Sequence, residues 1–66
     1  MAAKITVKTK GEVDVYDLKI GDIVVGAYDN QEYIVCGETY DDGIDDMVVC
    51  KDNNGEIHHL SPLLLM

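Results

Sequence analysis

The chain has 66 residues, 47% of them apolar, with thirteen acids against five lysines and a net charge of −8. That length allows one small domain with one small core, and too little buried surface for a deep substrate pocket, which argues against an enzyme. So negative a field repels nucleic-acid phosphates and anionic membranes and attracts basic protein faces or cations.

The charge is unevenly spread. Residues 1–19 hold four of the lysines and balance at +1, whereas residues 20–66 carry ten acids against Lys51 alone. Trp and Phe are absent, so the core must come from Val, Ile and Leu, with Tyr16, Tyr28, Tyr33 and Tyr40 as the aromatics. Two cysteines are fewer than a secreted domain this small usually carries. The opening Met1-Ala2-Ala3-Lys4 has no apolar leader region, and no run reaches membrane-spanning length. The expectation is a soluble cytoplasmic protein, of a bacterial or a virus-infected cell.

In chain order, alternation of period two dominates. Lys4–Thr9 puts Ile5 and Val7 on one face and lysines on the other; Lys10-Gly11 turns, and Glu12–Tyr16 alternates again, as in a hairpin with one dry face. Asp17–Asp22 is a short turn before Ile23–Tyr28, which is β-branched on both faces and reads as a central strand. Asp29-Asn30-Gln31 turns into Glu32–Gly37, and the acidic Asp41–Asp46 leads into Met47–Lys51. Asp52-Asn53-Asn54-Gly55 is the clearest hairpin turn, because Asn-Gly readily supplies positive φ angles. Glu56–Leu60 returns, and Ser61-Pro62 breaks the ladder. Leu63–Met66 either closes the core or lies against a partner, and the scarcity of other core favours closure.

The pattern predicts a single all-β domain over residues 1–66, five or six short antiparallel strands curled into a small barrel. The run Asp17-Leu18-Lys19-Ile20-Gly21-Asp22-Ile23-Val24 resembles a segment of SH3-like small barrels, in which a loop ending in Gly-Asp feeds a β-branched strand. The Asp52–Gly55 turn and the Leu60-Ser61-Pro62-Leu63 closure suit that architecture. The same run resembles the early part of Hint autoprocessing domains, but a Met-Ala-Ala start and so short a chain leave no self-splicing to expect. The SH3-like resemblance implies a fold and no activity. Without Trp, binding of proline-rich peptides is not expected, and acidic loops argue against direct nucleic-acid binding.

Each candidate site has a competing plain reading. Cys36, Cys50, His58 and His59 are zinc-ligand types, yet no Cys-x-x-Cys or His-x₃-His spacing occurs, and adjacent histidines on a strand face opposite ways. Buried structural thiols are the preferred reading. Asp41, Asp42, Asp45 and Asp46 are hard oxygen donors, but they lack the alternating spacing of a calcium loop; a solvated acidic loop is preferred. Tyr28, Tyr33 and Tyr40 beside acids have the makings of a cage for a methylated cation, though strand tyrosines more often cover a core. No metal, cofactor or catalytic residue is expected.

The function expected is a non-catalytic acidic protein-interaction module contacting a basic protein surface through Glu38, Tyr40, Asp41, Asp42, Asp45 and Asp46. In style it resembles small bacteriophage accessory products that inhibit a host protein or decorate the virion. The alternative is nucleic-acid mimicry, with the acids standing in for phosphates. A homo-oligomer fits either reading.

Overall fold

The computed structural model describes residues 3–66, so the expectation drawn from Met1-Ala2 lies outside them. Among these residues the protein is all-β, with seven short antiparallel strands and two single-turn 3₁₀ helices. The strands are β1 (Lys4–Val7), β2 (Gly11–Asp14), β3 (Ile23–Val25), β4 (Glu32–Val35), β5 (Tyr40–Asp41), β6 (Asp46–Lys51) and β7 (Ile57–Leu60); the helices are η1 (Val15–Asp17) and η2 (Pro62–Leu64). They exceed the expected five or six strands because the chain bends after Val35 and rejoins β6 as the separate β5.

Pairing runs β2-β1-β3-β4-β6-β5, with β7 also on β6. The β-branched Ile23–Val25 segment is indeed internal, between β1 and β4. Alternation puts Ile5 and Val7 inward from β1, Tyr33 and Val35 from β4, and Val48 and Cys50 from β6; Val15, Leu18, Val24 and Leu65 complete the buried cluster. Burying a Val or Ile side chain contributes about 1.5–3 kcal/mol, so this one layer carries most of the stability of so short a chain.

The predicted turns are present. Gly55 has φ +81°, and the Gly55 amide donates to the Asp52 carbonyl at 3.1 Å, closing the β6–β7 hairpin. Ser61 leaves the ladder and caps η2, its hydroxyl accepting from the Leu63 amide at 3.3 Å.

The C-terminus divides its residues between two roles. Leu65 enters the core, while Leu63, Leu64 and Met66 stay exposed. Its backbone reaches two strands: the Met66 amide donates to the Val25 carbonyl at 2.9 Å, and the Thr6 amide donates to the Met66 carbonyl at 2.8 Å.

The sheet curls without closing. No ladder joins β2 to β5, the two ends of the path. Two side-chain bonds span that gap instead, Thr39 Oγ1 to the Val15 carbonyl at 2.6 Å and Tyr16 Oη to Asp46 Oδ1 at 2.5 Å.

Candidate functional site

The open seam of the sheet holds a groove of about 460 Å³. Tyr16, Leu18, Lys19 and Ile20 line it from the η1–β3 connection, and Gly37, Glu38 and Thr39 from the β4–β5 connection. Local chemistry sets each wall. The Asp14 carboxylate caps η1 by accepting from the Tyr16 amide at 2.9 Å, which sends Val15 into the core and Tyr16 outward. Gly37 lets the opposite wall bend tightly, since a Cβ there would lie 3.1 Å from a Val49 methyl.

Asp22 fixes the register of the first wall. It is buried, with Oδ2 accepting from the Lys19 amide at 2.9 Å and Oδ1 from Lys10 Nζ at 3.0 Å. Those two bonds, the amide first, hold its carboxyl below the usual aspartate value. This is the Gly-Asp that stood out in the sequence, and its role is to brace the turn.

The acidic hairpin lies beside the groove. Asp41 and Asp46 are directly opposite each other on β5 and β6. Like charges so placed repel, by a few tenths of a kcal/mol or more. Tyr16 meets them: its hydroxyl donates to Asp46, and that bond, some burial and the carboxylates of Asp46, Asp41 and Asp14 push its pKa up to about 12. An exposed aromatic ring thus stands among three carboxylates, next to Ile20, which is 74% exposed.

The expected contact residues separate into three groups. Glu38 lines the groove with Tyr16, and Asp41 and Asp46 lie beside Tyr16, Asp41 Oδ1 also accepting from the Gly43 amide at 2.7 Å. Asp42 faces its own loop, accepting from the Ile44 and Asp45 amides at 2.8 and 2.7 Å, and those bonds hold its carboxyl below the ordinary value. Asp45 stays exposed at the loop, its carboxylate accepting from Ser61 Oγ at 3.5 Å. Tyr40 turns to β7, its hydroxyl 2.7 Å from His59 Nδ1. Sequence reasoning did not pick Tyr16 and Ile20; the one available signal was Asp14-x-Tyr16, an Asx-turn spacing that ends the strand and rotates the tyrosine out.

The other candidates find structural roles. Cys50 is fully buried, and burial chiefly pushes its thiol up to about 11, away from thiolate chemistry. Cys36 is half-buried just after β4, and both are free thiols. His58 Nε2 lies 2.8 Å from Asp52 Oδ2, while His59 takes Tyr40, so the adjacent histidines serve different partners. Among the described residues no group of three His, Cys, Asp or Glu side chains is placed to hold a metal ion, and no helix is long and apolar enough to cross a membrane. The three tyrosines proposed as a cage do not share a cavity. Tyr28 and Tyr33 line a cleft of about 150 Å³ with Gly26, Asp29, Leu60 and Leu64, and Tyr40 is not part of it. No protein-family model, curated protein or solved structure matches the chain.

Proposed function

We propose that the protein is a non-catalytic interaction module whose acidic seam receives basic side chains of a partner protein. The observation that carries this is the facing pair Asp41 and Asp46 above Tyr16, with Glu38 in the adjoining groove. Asp41 holds the Gly43 amide and Asp46 the Tyr16 hydroxyl, yet the two carboxylates still face each other; a cation between them and over an aromatic ring relieves the repulsion and adds cation–π attraction. Exposed Ile20 and the half-exposed Tyr16 supply apolar area at the centre of the contact. The groups suited to catalysis are occupied, Ser61 capping η2 and the two histidines paired with Asp52 and Tyr40.

The fold-level part of the reading is an SH3-like small barrel, supported by the curled antiparallel sheet and the C-terminal segment bonded to both β1 and β3. The biological setting we attach to it is that of a small bacteriophage accessory product, either an inhibitor of a host protein or a virion component. Nucleic-acid mimicry asks for a row of free carboxylates, and Asp29, Asp41, Asp42 and Asp52 are already engaged with the amides of their own turns. Competition with DNA for the captured partner separates the two readings.

The test is capture from cell lysate at low and high salt, followed by direct titration of the identified protein. The triple variant Glu38→Gln, Asp41→Asn, Asp45→Asn keeps the Asp42 turn and the Tyr16–Asp46 bond. Exposed ion pairs contribute about 0.2–1 kcal/mol each, so the variant should weaken binding by about threefold to a hundredfold, and less at high salt. Binding that ignores both salt and the variant removes the seam as the contact.

A further inference from the structure

A second concavity lies away from the seam, where the β3–β4 turn meets the C-terminal segment. Tyr28, Tyr33, Asp29, Leu60 and Leu64 line it over Gly26. We propose that this cleft binds a trimethylated lysine side chain presented by a partner protein.

The walls suit a soft, bulky cation. Tyr28 stands at the rim, 82% exposed, while Tyr33 is buried and its ring packs T-shaped on His58, centroids 5.5 Å apart. Two aromatic rings and two leucines give a cleft of about 150 Å³, below the roughly 300–1,000 Å³ of sites for drug-sized molecules. A side-chain tip fits such a cleft; a larger free ligand would be left mostly in water.

The exposed carboxylate that lines it favours the methylated form. Asp29 Oδ1 accepts from the Gln31 amide at 3.0 Å, and Oδ2 accepts from the Tyr33 hydroxyl at 2.8 Å. Both bonds favour the charged form and hold its carboxyl below the ordinary value. Asp29 therefore offers negative charge with one acceptor site on each oxygen already taken, leaving two where an ammonium brings three donors. An unmodified ammonium brings three N–H donors that need acceptors, and leaves water poorly compensated. A trimethylated one brings charge and no donors, so it needs none of the remaining acceptors, and its methyls suit aromatic and leucine walls. The cleft also depends on Gly26, because a Cβ there would come within 2.0 Å of Asp29 Oδ1.

The experiment is an amide-resolved NMR titration of the full chain with trimethyllysine amide, lysine amide, the neutral tert-butyl isostere and choline. Expected are saturable shifts at Tyr28, Asp29 and Leu64 with trimethyllysine amide, about tenfold weaker binding of lysine amide and of the isostere, and a similar loss in Tyr28→Ala. Asp29→Asn, which retains the Oδ1 acceptor of the turn, should weaken the cation and leave the isostere unchanged. Equal binding of the isostere, absence of shifts in the cleft, or a Tyr28→Ala protein that binds normally each overturn the proposal. Choline binding as tightly as trimethyllysine amide overturns the assignment to a side chain in favour of a free quaternary ammonium. The seam triple variant should titrate as wild type, so the two sites fail or succeed separately.

Discussion

Replacing Asp22 by alanine should be among the most destabilising single changes on the polar side of this protein. The carboxylate is buried and joins three pieces of chain: the Lys19 amide of the η1–β3 turn, the Lys10 ammonium of the β1–β2 turn, and its own position at the start of β3. Hydrogen bonds to a charged group contribute about 1.5–3 kcal/mol when buried. The Lys10 ammonium is half-exposed, so its ion pair adds at most about 1 kcal/mol. A loss of about 2–4 kcal/mol follows, against a total of about 3–10 kcal/mol for a chain this long. The melting temperature should then fall by roughly 10–25 °C, read by circular dichroism with a urea series for the free energy. Two controls apportion the loss. Lys10→Met should cost under about 1 kcal/mol, because it removes only the half-exposed ion pair. Asp22→Asn keeps an acceptor for the Lys19 amide and should fall between the two. The acid limb gives the sign. With its folded value depressed, Asp22 contributes fully above the ordinary aspartate range, and that stability is lost as pH falls through the folded value. Asp22→Asn should flatten that limb. A Lys10→Met protein as unstable as Asp22→Ala, or an Asp22→Ala protein within about 0.5 kcal/mol of wild type, would refute the account of Asp22 as a turn brace.

Gly26→Ala should displace the Asp29 carboxylate, break its bonds to Gln31 and Tyr33, and cost about 1–3 kcal/mol in a urea melt, with Tyr33 freed in tyrosine NMR spectra. Tyr16→Phe should remove the tyrosine that titrates near pH 12 from an absorbance titration. Because the folded value is raised, the stability this phenol contributes is full below the ordinary tyrosine value near 10 and fades as pH rises toward 12. In the native protein at neutral pH, a maleimide probe should modify Cys50 no faster than the protein opens, which mass spectrometry after rapid quenching would show; fast modification would contradict a fully buried thiol. Val24→Ala, at the centre of the sheet, should cost about 2 kcal/mol or more through lost burial and the cavity left behind.

Much of the fold was legible because its signals are local. Alternation at Ile5 and Val7, at Tyr33 and Val35, and at Val48 and Cys50 marks an inward face on each strand without knowledge of its neighbours. The Asp52–Gly55 turn and the Ser61-Pro62 break follow from φ preferences and a missing amide donor, which belong to the residues themselves. Opposite faces for His58 and His59 follow from strand geometry alone. The acidic cluster was visible too, but its members looked equivalent. Whether Asp42 takes two amides of its loop while Asp41, holding the Gly43 amide, still confronts Asp46 depends on the loop conformation and on strand register.

What the sequence determined by itself, then, is the all-β class, the turns, the inward faces and the surplus of negative charge, since each arises from a residue's own conformational preference or charge. Only the tertiary structure decided that the ends of the sheet stay unpaired, that Tyr16 bridges the gap to Asp46, and that the C-terminus commits Leu65 to the core and leaves Leu63 in water. The cleft beneath Tyr28 is of the same kind, assembled from residues 26–33 and 60–64. These features depend on how far a twisted sheet curls before its side chains meet. That is a property of the whole packed layer, and no stretch of sequence carries it alone.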